Sequence, residues 1–140
     1  MVSNDRVPLS EFRYARRVQF AETDLAGVVH FSWYFRYLEE AEHAMWREAG
    51  LSIAPAGREL GFPRVSASID FHAPLCFEDV FEVHVRVDAI SKRSIRYAHT
   101  ITRGETRIAT GSMTAVCVER LPDMRAVDIP DTILAKLLKP

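Results

Sequence analysis

Cysteine is scarce in this 140-residue chain, with only Cys76 and Cys117 present. Two thiols do not make a disulfide scaffold, and they suit a reducing compartment. Long apolar runs are missing too: none approaches the ~20 residues a membrane-spanning helix needs. Residues 1–8 lack a basic stretch followed by an apolar one, so they do not read as a secretory signal. The expectation is a soluble, cytoplasmic protein. There is no excess of charge of one sign. With 18 basic and 19 acidic residues the formal net charge is −1, which gives no field for nucleic acid. There is no P-loop, GxGxxG, GxSxG or CxxC pattern. The five histidines (His30, His43, His72, His84, His99) form neither HExxH nor a close Cys/His group. A zinc site is therefore not expected.

What is present is ordinary globular material, 48% hydrophobic and 26% charged. The length fits one domain over residues 1–140. Residues 1–10 are polar, carry Pro8 and read as a loose arm. A strand is expected over 14–22, with Tyr14, Arg16, Val18 and Phe20 on one face. Residues 23–27, Thr-Asp-Leu-Ala-Gly, are turn chemistry. A long amphipathic helix follows over 32–49. Tyr34, Leu38, Ala41, Met45 and Ala49 form its apolar stripe, with Gly50 at the C′ position. Glu39, Glu40, Glu42, Arg47 and Glu48 are read as its polar side. Residues 52–61 read as a loop.

The period then changes to two. Val65, Ala67, Ile69 and Phe71 alternate with polar residues, as do Phe81, Val83, Val85, Val87 and Ala89. Residues 91–94 look like a connection. A strand over 95–103, a turn at Gly104-Glu105 and a strand over 107–119 come next. A short helix over 130–138 closes the chain, with Pro130 in its first turn. One long helix is the natural cover for an antiparallel sheet, so the expected class is α+β, one sheet wrapped on one helix.

The segment that stands out for chemistry is residues 20–34. It places Asp24 in a glycine-bearing turn just before the start of the main helix. A helix start offers unpaired N–H groups and a positive dipole end, and a carbonyl docked there would be polarised. Asp24 could attack that carbonyl or activate a water. On the residues alone, Asp24 reads first as the cap of a turn or helix.

This stretch resembles the signature of hotdog-fold acyl-CoA thioesterases of the 4-hydroxybenzoyl-CoA thioesterase-like family. The matching residues are Thr23-Asp24, Gly27-Val28-Val29-His30 and the aromatic-then-acidic run 34–40. Asp70-Phe71-His72-Ala73-Pro74-Leu75, Asp79 and Ile129-Pro130 extend the similarity to about residues 16–138. Glu78 stands where the family commonly has glycine.

The resemblance implies a hotdog fold, a five-stranded, mostly antiparallel sheet around one central helix. It implies a thioesterase acting on an acyl-CoA or acyl carrier protein thioester, working as a homodimer or homotetramer with sites at the interface. Carried over, Asp24 is the catalytic carboxylate, the Phe31 backbone N–H polarises the thioester, and Gly27 permits close backbone approach. His30 supports or positions, Tyr34 lines the acyl pocket, and Lys92 with Arg93 faces the CoA phosphates. No metal or redox cofactor is implied. CoA is part of the substrate. The acidic helix residues Glu39, Glu40 and Glu42 are read as structural or solvated. Two other readings stay open: a non-catalytic acyl-thioester binding module, and a hydratase or dehydratase on the same fold.

Overall fold

The computed structural model describes residues 10–54, 57 and 59–138. The elements in chain order are β1 (Glu11–Arg17), a 3-10 turn (Phe20–Glu22), α1 (Ser32–Glu48), β2 (Leu60–Gly61) and β3 (Arg64–Phe71). Then come β4 (Val80–Ile90), β5 (Ser94–Arg103), β6 (Thr106–Val116), β7 (Val118–Glu119), β8 (Arg125–Ala126) and α2 (Asp131–Leu137). Five strands form one sheet in the order β1-β4-β5-β6-β3, with every neighbouring pair antiparallel. The short β2, β7 and β8 form a second small sheet.

Period-two alternation decides which sheet face is dry. Phe81, Val83, Val85 and Val87 of β4 and Ile95, Tyr97 and Ile101 of β5 are buried under α1. From α1, Tyr34, Tyr37, Leu38, Ala41, Met45 and Trp46 complete the core. Each fully buried large apolar side chain contributes about 1.5–3 kcal/mol relative to exposure, so this seam dominates stability. Its closeness depends on a glycine. Phe12, Val85, His99, Gly111 and Ile69 form one inward-facing row across the sheet. A Cβ at Gly111 would stand 2.8 Å from Leu38 Cδ1 and 3.2 Å from the Ser68 carbonyl oxygen. Gly111 thus lets the helix sit low on the sheet.

Several expectations need correction. The first strand ends at Arg17, and residues 20–22 form a 3-10 turn. That turn breaks the alternation, so Phe20 points outward, 74% exposed. The arm expected over 1–10 lies outside the described residues except for Ser10. Ser10 is not loose: it is buried, donates to the Leu137 carbonyl and accepts from the Val87 N–H. The expected loop over 52–61 includes β2, and the last expected strand is divided between β6 and β7.

Glu78 adopts φ 71°, in the left-handed region. A side chain there costs about 1–2 kcal/mol, partly offset in glycine by its larger unfolded entropy. Glu78→Gly is therefore expected to raise stability by about 0.5–1 kcal/mol in urea melts. An unchanged midpoint would mean that the turn relaxes around the glutamate.

Candidate active site

A small hairpin carries the candidate site. Thr23 and Val29 pair across it, the Asp24 N–H donates to the Val28 carbonyl at 2.9 Å, and the His30 N–H closes its base on the Glu22 carbonyl at 2.9 Å. Asp24 shapes the tip. Its carbonyl accepts the Gly27 N–H and its Oδ1 accepts the Ala26 N–H at 2.8 Å, an Asx turn. Gly27 completes the reversal at φ +82°, yet a Cβ there would meet nothing within 4 Å. Inside this chain, conformation rather than close approach demands the glycine. The hairpin is stitched to the chain leading into β4, through the Val29 N–H on the Leu75 carbonyl and a Val28–Cys76 bridge.

The hairpin leads directly into α1. Trp33 N–H returns to the His30 carbonyl and Tyr34 N–H to the Phe31 carbonyl. Ser32 N–H donates to His30 Nδ1 at 3.3 Å, and the same ring nitrogen lies 2.8 Å from Ser32 Oγ. His30 thereby braces the helix start through its ring nitrogen. Among the described residues, the Phe31 N–H donates to no acceptor of the chain. It is the donor of residues 31–34 left for a ligand, at the positive end of a 17-residue helix. Asp24 is exposed, with Oδ1 anchored and Oδ2 bound to no protein donor among the described residues.

Two clefts flank the hairpin. Phe31 and Tyr34 line one of about 360 Å³ with Val29, Phe71, His72 and Pro74. Tyr34 is 3% exposed and stands edge-on to Phe71, centroids 5.0 Å apart. Burial raises the pKa of its hydroxyl above the usual tyrosine value. Asp24 and Gly27 line a second cleft of about 670 Å³ with Phe20, Leu25 and Phe77. Within one chain, then, the carboxylate and the Phe31 N–H belong to one hairpin but line different clefts.

Lys92 and Arg93 lie elsewhere. They sit in the β4–β5 connection, and both turn toward Asp128, at 3.9 Å and 3.0 Å. The hairpin lies near Val80, at the other end of the 11-residue β4, which spans about 33 Å at ~3.3 Å per residue. One chain does not bring these two cations to Asp24.

The sequence pattern gave no sign of two buried ionic clusters. Glu22, 1% exposed, takes Arg16 Nη1 and Nη2 at 2.8 Å and 2.6 Å, the Gln19 N–H at 2.9 Å and the Tyr37 hydroxyl at 2.7 Å. Burial pushes its pKa up, but these donors outweigh that and hold it below the ordinary carboxylate range. Arg16 also donates to Glu40 and lies over the Tyr37 ring at 4.6 Å. In the second cluster, Glu42 lies 2.6 Å from both His99 Nε2 and Arg64 Nη2. Glu42 and His99 are 1% and 2% exposed, so neither is solvated.

This fold and helix-start site define a class. Residues 18–137 match the family described as the thioesterase-like superfamily. The chain belongs to that family, enzymes of thioester hydrolysis, on the hotdog fold. A protein of Aquifex aeolicus (strain VF5) is 34% identical over 128 residues, covering 90% of this chain and 97% of its own. The 1,4-dihydroxy-2-naphthoyl-CoA hydrolase of Thermosynechococcus vestitus is 30% identical, covering 89% of this chain and 86% of its own. Among solved structures, a Synechocystis 1,4-dihydroxy-2-naphthoyl-CoA thioesterase superposes with a TM-score of 0.84 at 27% identity, covering 91% of this chain and 95% of that one. Among the described residues, no helix is long and apolar enough to cross a membrane.

Proposed function

We propose that the protein hydrolyses acyl-CoA thioesters, with Asp24 as base or nucleophile and the Phe31 N–H as the group that polarises the carbonyl. The observation that carries this reading is the unsatisfied Phe31 N–H at the start of α1, on the hairpin that also presents the half-free Asp24 carboxylate. Charge develops on the thioester oxygen during attack, and a preorganised donor favours that state over the ground state. Water supplies the oxygen of the product acid, and the thiol leaves with the proton. His30 holds the helix start in shape, and CoA enters as part of the substrate.

An aromatic acyl group suits the rings of Phe31, Tyr34 and Phe71 around the smaller cleft. The relatives named for naphthoyl-CoA support the same class. The working unit in this reading is a homodimer or a larger assembly. Its support is β3, an edge of the five-stranded sheet, which exposes Val65 at 62% and Phe71 at 49%. A second copy there would complete a pocket that one chain leaves open.

The test is thiol release from aromatic, short-chain and long-chain acyl-CoAs. Aromatic acyl-CoAs are expected to give the highest kcat/KM. Equal rates for all three would remove the aromatic preference. Tight binding without thiol release would favour a binding module, and release from carrier-protein thioesters alone would move the substrate class.

A further inference from the structure

We propose that Glu22 is a positioning residue for the reaction: its buried carboxylate clamps the base of the hairpin that holds both Asp24 and the Phe31 N–H. This rests on the function proposed above. The main chain of Glu22 is half of the closing pair, since its carbonyl accepts the His30 N–H, and Phe31 is the next residue. Asp24 lies two residues on in the other direction. The Glu22 side chain fixes that base from two sides. Arg16 reaches it from β1 with two hydrogen bonds, and Tyr37 reaches it from α1. The Gln19 N–H closes the adjoining 3-10 turn on the same oxygen that Tyr37 and Arg16 Nη1 use. The carboxylate thus ties sheet, helix and hairpin at one point. A buried ion cluster is a poor device for stability alone, because desolvation offsets much of its attraction. It is a good device for geometry, because a bidentate arginine pair has a fixed orientation. The rate depends on that geometry, as a displacement of about 1 Å at reacting groups can cost on the order of 10²-fold.

The experiment compares Glu22→Gln, Tyr37→Phe and Glu40→Gln in the full chain. Each is assayed for kcat and KM by thiol release, and for amide exchange at His30 and Phe31. Glu22→Gln keeps the size but turns an amide N–H₂ toward Arg16 or the other donors. It is expected to lower kcat about 10–100-fold, to leave KM within about twofold, and to speed exchange at His30. Tyr37→Phe removes one donor without opening the core. It is expected to lower kcat severalfold in the same pattern, and it carries the test if Glu22→Gln fails to fold. Glu40→Gln loosens the outer, half-buried arm of the Arg16 cluster and is expected to leave kcat within about twofold. Wild-type kcat in both Glu22→Gln and Tyr37→Phe overturns the proposal, as does a kcat loss that Glu40→Gln shares equally. If Asp24→Asn is inactive while those two variants behave as wild type, this inference alone fails. If wild-type protein releases no thiol from any thioester, the proposed function fails with it.

Discussion

Asp24→Asn is expected to reduce thioester turnover by about 10²–10⁴-fold, the range that a positioned acid or base supplies, while the protein folds as before. The geometry separates these two effects. In the native turn Asp24 Oδ1 accepts the Ala26 N–H, and an asparagine oxygen can accept the same bond. The Asx turn, the Gly27 reversal and the hairpin are therefore retained. What is lost is the charge and basicity of Oδ2, the oxygen that no described protein group engages. The Phe31 N–H is untouched, so under the proposed function substrate binding is expected to persist, with KM changing much less than kcat. Single-turnover thiol release, with a thermal melt alongside, reads both quantities. Turnover within threefold of wild type would remove Asp24 from the mechanism. A collapsed melting transition would mean the carboxylate holds the turn as well as the chemistry.

The turn at residues 23–27 was legible in the sequence because its signal is local. Asp24, Gly27 and the helix start lie within ten residues, and a turn before a long apolar stripe is a short-range signal. Helix α1 and strand β4 were legible for the same reason, since both carry clean periodicity over more than ten residues. What escaped depends on contacts distant in sequence. Glu42 was read with the polar side of α1, although it lies four residues after Leu38 and three before Met45, on the buried stripe. His99 lies between Tyr97 and Ile101 on the inner face of β5. Each residue alone reads as polar and solvated. Together they are complementary, and only the pairing of α1 with β5 makes the match visible. Glu22 was hidden differently, because a 3-10 turn replaces the strand pattern at Phe20 and turns the next polar residue inward. The expectation for Lys92 and Arg93 was carried by resemblance, and a single chain places them at the far end of β4 from the hairpin.

Glu42→Ala is expected to destabilise the fold more than any other substitution named above, by roughly 3–5 kcal/mol, as breaking a buried ion pair from one side does. Glu42 is the hub of its cluster. His99 Nε2 and Arg64 Nη2 both lie 2.6 Å from its oxygens, and Arg64 also lies over the Tyr97 ring at 5.7 Å. The cluster has little reserve: Arg64 keeps one other carboxylate, the half-exposed Glu39 at 3.7 Å. His99 Nδ1 and Arg64 Nη1 are buried without a hydrogen bond, and Glu42 Oε1 meets Arg64 in ion-pair contact without hydrogen-bond geometry. Truncating the Glu42 side chain to a methyl group leaves the guanidinium without its main counter-charge beside an emptied volume, and His99 Nε2 loses its acceptor. Both costs fall at the seam that presses α1 onto β5 and β3. Against a total of about 5–15 kcal/mol, the loss takes a large share of native stability and lowers Tm by about 10–15 °C for a chain of this size. Glu42→Gln keeps the shape and one acceptor, so its loss is expected to be smaller, nearer about 2 kcal/mol. Urea melts of the two variants give the comparison. A loss under about 1 kcal/mol for Glu42→Ala, the size of a surface ion pair, would mean that water reaches the seam and solvates Arg64. The register that seats Leu38 over Gly111 would then be held by apolar packing alone.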